Sequence, residues 1–120
     1  MPDIMFFEDE EETLRLPHQV EITDVYVRPL PDGRRILVQI TLTPFIEPPS
    51  LDVTILRPDG IVERTLSVIG TPDRTSTLTM HLSQLEHADE YTARVDLLHE
   101  GVVLQAREVR FRVPNADTAY

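Results

Sequence analysis

His18, His81, His87 and His99 are the side chains here whose ordinary chemistry suits proton transfer or metal ligation near neutral pH. Only His87-Ala88-Asp89 sets an imidazole and a carboxylate close together in sequence, as a short ligand pair would. A zinc site needs three or four convergent ligands in fixed geometry, and nothing else local supplies them. The simpler reading is a solvated loop with a turn-forming Asp. The run Glu8-Asp9-Glu10-Glu11-Glu12 could gather cations, but a calcium loop spaces its oxygen ligands around a glycine, and this run has neither spacing nor glycine. Adjacent like charges favour a self-repelling, flexible arm.

Nucleophiles fare no better. The chain contains no cysteine, which removes thiolate catalysis, thiolate metal sites and redox pairs together. Ser50, Ser67, Ser76 and Ser83 stand outside any Gly-x-Ser-x-Gly elbow, and no glycine-rich loop could cradle a phosphate. Asp52, Glu63, Asp96 and Glu108 fall on strand faces. They read as exposed cross-strand partners of Arg64, Arg94, Arg110 and Arg112, each pair contributing less than about 1 kcal/mol. The expectation is a protein without catalytic residues, metal site or cofactor.

The net charge of −10 argues against nucleic acid, whose phosphates require a positive face. Half of it is local: residues 1–16 carry Asp3, Glu8, Asp9, Glu10, Glu11 and Glu12 against Arg15, a sum of −5. All eleven basic side chains are Arg, which reads as base composition or a heat-tolerant source. No apolar run reaches the length of a membrane span. Acidic residues flank Ile4-Met5-Phe6-Phe7 on both sides, unlike the basic start of a secretory signal, so the expected compartment is the cytoplasm.

From Val20 onward, period-two alternation broken by turn residues dominates, which is the pattern of half-buried antiparallel strands. Strands are expected over 20–27, 35–43, 51–56, 61–69, 77–82, 91–97 and 102–113. In the first, Val20 and Ile22 change parity with Val25 and Val27, so a bulge belongs near Thr23-Asp24. Leu30-Pro31-Asp32-Gly33 and Pro58-Asp59-Gly60 read as tight reversals, and Thr71-Pro72-Asp73-Arg74 as a third break. Two longer links, 44–50 and 83–90, are where the chain is expected to cross between sheets in Greek-key fashion. No three-turn amphipathic helical stripe exists, which excludes parallel α/β architectures.

The segment Leu85-Glu86-His87-Ala88-Asp89-Glu90-Tyr91-Thr92-Ala93-Arg94-Val95 resembles the tyrosine corner of the immunoglobulin-like and fibronectin type III-like β-sandwich superfamily. The resemblance covers about a tenth of the chain. It implies a structural role for Tyr91, with its hydroxyl bonded back to the preceding loop. The absence of Trp and of a cysteine pair separates the chain from antibody-type domains. The expected fold is all-β: a seven-stranded antiparallel Greek-key sandwich, split three and four in fibronectin-like order. An acidic arm would occupy 1–17, the sandwich 18–114 and a short tail 115–120.

Two apolar features remain as candidate partner-binding residues. Phe6 and Phe7 lie outside the strand pattern and could add a strand to this sandwich's edge or to a neighbour's. Phe45 and Ile46, with Pro48 and Pro49, sit in a crossing loop and serve either as a rigid recognition tip or as a lid on the core. The function expected is a non-catalytic protein-binding or assembly module that could homodimerise. An intracellular Ig-like protease inhibitor using the Phe45-Ile46 loop is the alternative. A glycan-binding module ranks below both, since sugar platforms rely on exposed Trp and Tyr.

Overall fold

The computed structural model describes residues 14–82 and 90–113. Seven strands run in chain order: β1 (Ile22–Pro29), β2 (Arg35–Leu42), β3 (Ser50–Leu56), β4 (Val62–Val68), β5 (Thr75–His81), β6 (Glu90–His99) and β7 (Val102–Arg112). They form a β-sandwich of a three-stranded sheet, β1-β2-β5, and a four-stranded sheet, β4-β3-β6-β7, every pairing antiparallel.

Alternation along β2 explains the core most simply. Ile36, Val38, Ile40 and Leu42 are fully buried, while the residues between them face out. On the opposing sheet Leu51, Val53 and Ile55 of β3 meet Tyr91, Ala93, Val95 and Leu97 of β6, and all seven are buried. Val20, Ile22, Met80, Leu82, Phe111 and Val113 complete the core. Tyr91 stacks on Phe111 with ring centroids 5.9 Å apart. The remainder of the tyrosine-corner segment, residues 85–89, lies outside the described residues.

Tight turns hold neighbours within a sheet. Between β1 and β2, Gly33 N–H donates to Leu30 O at 3.1 Å, and Gly33 takes a φ of 70° that a side chain would strain. Asp32 accepts the Arg34 and Arg35 N–H groups through Oδ1 and the Arg35 Nε–H through Oδ2 at 2.7 Å. The Arg34 amide, then the Arg35 side chain, hold this carboxyl below the ordinary carboxylate value of 3.8. A depressed folded-state value means a stabilisation present above the unfolded pKa and lost as the pH falls through the folded one. Asp32→Asn should therefore flatten the acid limb of a stability curve below pH 3.8 relative to wild type, measured by denaturant titration. Identical limbs would contradict it.

One detail follows the expectations above and one departs from them. The parity change in β1 is indeed a register shift, between Ile22 and Asp24. The break at 71–74, however, is a third crossing between the sheets, since β4 and β5 belong to different ones. Its cause is Thr71, which is fully buried. The Thr71 N–H donates to Pro49 O at 2.8 Å, and its hydroxyl lies 2.8 Å from Ser76 Oγ and 3.2 Å from Asp73 O. The chain is thereby drawn over the end of the core instead of folding back beside β4.

The two sheets are joined along one side by polar side chains. Gln105 Oε1 on β7 accepts the Ile22 N–H at 2.7 Å, and Arg107 donates to Ile22 O at 2.8 Å. Ile22 stands opposite Leu42, whose backbone bonds towards β5, so both Ile22 groups point away from β2 and are satisfied this way.

Candidate functional site

Four segments meet at one end of the sandwich, and hydrogen bonds tie three of them together. The stretch before β1 lies against the β2–β3 loop: Arg15 N–H donates to Pro44 O at 3.1 Å, and Ile46 N–H to Arg15 O at 3.2 Å. The β4–β5 crossing joins the same loop through Thr71 and Pro49, and Gly70 N–H reaches Ser50 Oγ at 3.2 Å. From the β6–β7 hairpin, His99 Nε2 approaches Glu47 Oε1 at 3.5 Å.

Six of the nine large apolar side chains exposed among the described residues stand at this end: Leu14, Leu16, Ile46, Ile69, Val102 and Val103. Ile69 is 83% exposed and Ile46 55%. Ile61 and Val62 occupy the far end, and Tyr26 lies on the outer face of β1. Glu47 and Glu100 are exposed among the apolar group.

The loop candidates divide. Phe45 is half-buried and packs against the core, and Pro49 is buried, so these two close the end of the sandwich. Ile46 and Pro48 are exposed. Phe6 and Phe7 lie outside the described residues. Leu14, Leu16, Ile69, Val102 and Val103 were not among the sequence candidates. For Ile69, Val102 and Val103 a signal was present, since a strand pattern that ends on bulky aliphatic residues beside turns leaves them uncovered.

The residues that could do chemistry are scattered. His18 lies in a single 3-10 turn (Pro17–Gln19), His81 on the exposed face of β5, and His99 at the end of β6. His87 and Asp89 lie outside the described residues. Among the described residues no group of three His, Asp or Glu side chains converges as a metal site would require. Asp52 and Asp96 are direct cross-strand neighbours on the outer face of the four-stranded sheet. Each is already engaged, Asp52 by the Ser67 hydroxyl at 2.7 Å and Asp96 by Arg94 Nε at 2.9 Å. The hydrogen bond to Asp96, then that carboxylate's charge, hold Arg94 above its ordinary value.

Glu63 departs from the exposed cross-strand pairing expected of it. It is the extra residue where β4 shifts register against Ile55 and Leu56, which swings its side chain inward. That side chain is fully enclosed, and Arg57 Nε donates to it at 2.7 Å. The hydrogen bond to Glu63, followed by its charge, raises the Arg57 guanidinium's hold on its proton. The pair pins the β3–β4 hairpin and offers nothing to a substrate.

No helix among the described residues is long and apolar enough to cross a membrane. No family model matches the chain, and no curated protein sequence does either. Solved structures show its fold. A family 76 glycoside hydrolase from a bovine Bacteroides thetaiotaomicron strain contains a domain matching 78% of this chain at 10% identity, with a TM-score of 0.65. The β-glucuronidase of Parabacteroides merdae matches the same share at 12% identity and a TM-score of 0.58. The chain spans only 20% and 13% of those two enzymes. A computer-redesigned β-sandwich protein is matched almost whole: 86% of this chain covers 98% of that one, at 14% identity and a TM-score of 0.58. At such identities the likeness is one of fold, and the fold is a β-sandwich.

Proposed function

We propose that this chain is a non-catalytic binding module of fibronectin-like order, which holds a protein partner at the end built from residues 14–16, 46–48, 69–70 and 102–103. The fibronectin-like assignment is supported by β4 lying beside β3 in the four-stranded sheet, where an immunoglobulin constant-type order would put it with β5. The observation that carries the binding reading is the concentration of exposed Leu, Ile and Val at that end. Four separate segments contribute to it on a rigid sheet frame, the way recognition loops are mounted on stable scaffolds.

The partner's chemistry follows from the surface. An apolar contact centre suits an apolar pocket or ridge, and Glu47 and Glu100 suit Arg or Lys around it. The net charge of −10 further favours a basic protein surface and speeds its approach.

A partner isolated with the native protein, purified and titrated calorimetrically, tests this. Ile46→Asp combined with Ile69→Asp should weaken binding at least about tenfold, the effect of losing ~1.4 kcal/mol of apolar contact. Ile61→Asp, at the opposite end, should leave affinity unchanged. Equal affinity for wild type and both variants would remove the loop end from the account.

A further inference from the structure

The four edge strands of the sandwich are not alike. β1 carries the register shift at Ile22/Asp24 and ends in Pro29, β4 carries one opposite Ile55/Leu56, and β7 one opposite Leu97/Leu98. Bulges and prolines are the devices that keep sheet edges from pairing with other chains. β5 has neither. Its register against β2 is continuous from Thr75 to His81, and it contains no Asp, Glu or Arg.

The free side of β5 can be read from its bonds to β2. Leu42 N–H donates to Arg74 O at 2.8 Å, and Leu82 N–H to Arg34 O at 2.7 Å. These fix the even-numbered residues as the ones bonded to β2. In an antiparallel ladder the alternate residues point the other way. The backbone groups of Thr75, Thr77, Thr79 and His81 therefore face outward along an edge that no other described strand covers.

The geometry points to a second copy of this chain as the occupant of that edge, through antiparallel pairing of β5 with itself about a two-fold axis at Leu78. In that register Thr77 pairs with the partner's Thr79 and Thr75 with the partner's His81, so all four outward-facing residues are used. No like charges meet. Thr faces Thr on the outer surface, and the two half-buried Leu78 side chains meet on the core side. The three-stranded sheets of two copies become one six-stranded sheet, β1-β2-β5-β5-β2-β1, and the interface is isologous, as a closed dimer requires. This deepens the assembly side of the proposed function and leaves the loop end open for a partner.

The electrostatics carry a sign. The edge is neutral but each protomer carries −10, so the bodies repel while the strands attract. Salt should strengthen this dimer by screening the repulsion.

Light scattering and sedimentation of the full-length chain test the inference. Wild type should change from the 13.7 kDa protomer to a dimer as concentration rises, with a dissociation constant that falls as salt is added. Thr77→Pro removes an outward-facing N–H and no bond to β2, as an edge strand tolerates. It should raise the dissociation constant at least about tenfold while the circular dichroism stays that of wild type. Two further variants leave the backbone untouched: Thr77→Glu with Thr79→Glu, and Thr77→Lys with Thr79→Lys. Each should be monomeric alone, and an equimolar mixture should dimerise. A wild type that stays monomeric throughout, a dimer indifferent to Thr77→Pro, or a mixture that stays monomeric would each overturn the assignment. Partner affinity of the monomeric variants reports separately on the loop end: unchanged affinity there with a failed dimer test would sink this inference alone.

Discussion

Replacing Ile40 by Ala lowers the unfolding free energy by about 3–4 kcal/mol, the cost of a fully buried Ile truncated in a rigid core. Ile40 lies on β2 between β1 and β5, is fully buried, and faces the opposing sheet. Neither neighbouring strand can collapse into the void without losing its own ladder, which keeps the cost in the upper half of the usual range. For a domain of this size that corresponds to a melting temperature lower by about 15 °C. Gln39, one residue away, points to the outer face, so Gln39→Ala should change stability by no more than about 0.5 kcal/mol. Thermal and urea denaturation of both variants check the contrast. Similar losses for the two would mean that β2 does not separate a buried face from an open one.

Thr71→Val is the second large effect, about 2 kcal/mol. Valine keeps the volume but removes the hydroxyl that lies against Ser76 Oγ and Asp73 O, in a position closed to solvent. Buried groups left without partners cost about 1–3 kcal/mol. Thr71→Ser makes the opposite change, keeping the hydroxyl and deleting a methyl, for a loss near 1 kcal/mol. A larger loss for Val than for Ser identifies hydrogen bonding as what holds the β4–β5 crossing. The reverse order would assign that role to packing.

Much of this architecture is readable from residue types. The clean alternation of Ile36, Val38, Ile40 and Leu42 admits one face as core, and the parity change after Ile22 locates the β1 bulge. The 71–74 crossing escaped because Pro72-Asp73 carries the same turn chemistry as the two hairpins. What separates it is the burial of Thr71, a tertiary fact. Glu63 escaped for a related reason. One extra residue in β4 reverses the direction of a side chain, and nothing in the local composition announces it.

The candidate site was half legible. Ile46 and Pro48 stood out as apolar residues in a loop, and the structure places both in solvent. Phe45, the most conspicuous residue of that loop, packs on the core. Ile69 and Val102 looked like the ends of strands, and only the way β3 and β6 terminate beside them leaves them uncovered. The contribution of Leu14 and Leu16 depends on Arg15 bridging to Phe45 across thirty positions of chain, beyond the reach of any local pattern.

The neutral edge of β5 and the apolar loop end make separate demands on neighbours, and the second is the heart of the functional reading. Site-specific photo-crosslinking in the native cell tests it most directly. A photoreactive residue is placed in turn at Ile46, Ile69 and Val102, and at Ile61 and Thr54 as controls on the far end and the outer face of β3. One protein species should be captured from all three loop-end positions and from neither control, and that species, purified, should bind wild type and lose affinity for Ile46→Asp with Ile69→Asp. Adducts that form at Ile61 or Thr54 while the loop end stays silent would contradict the account.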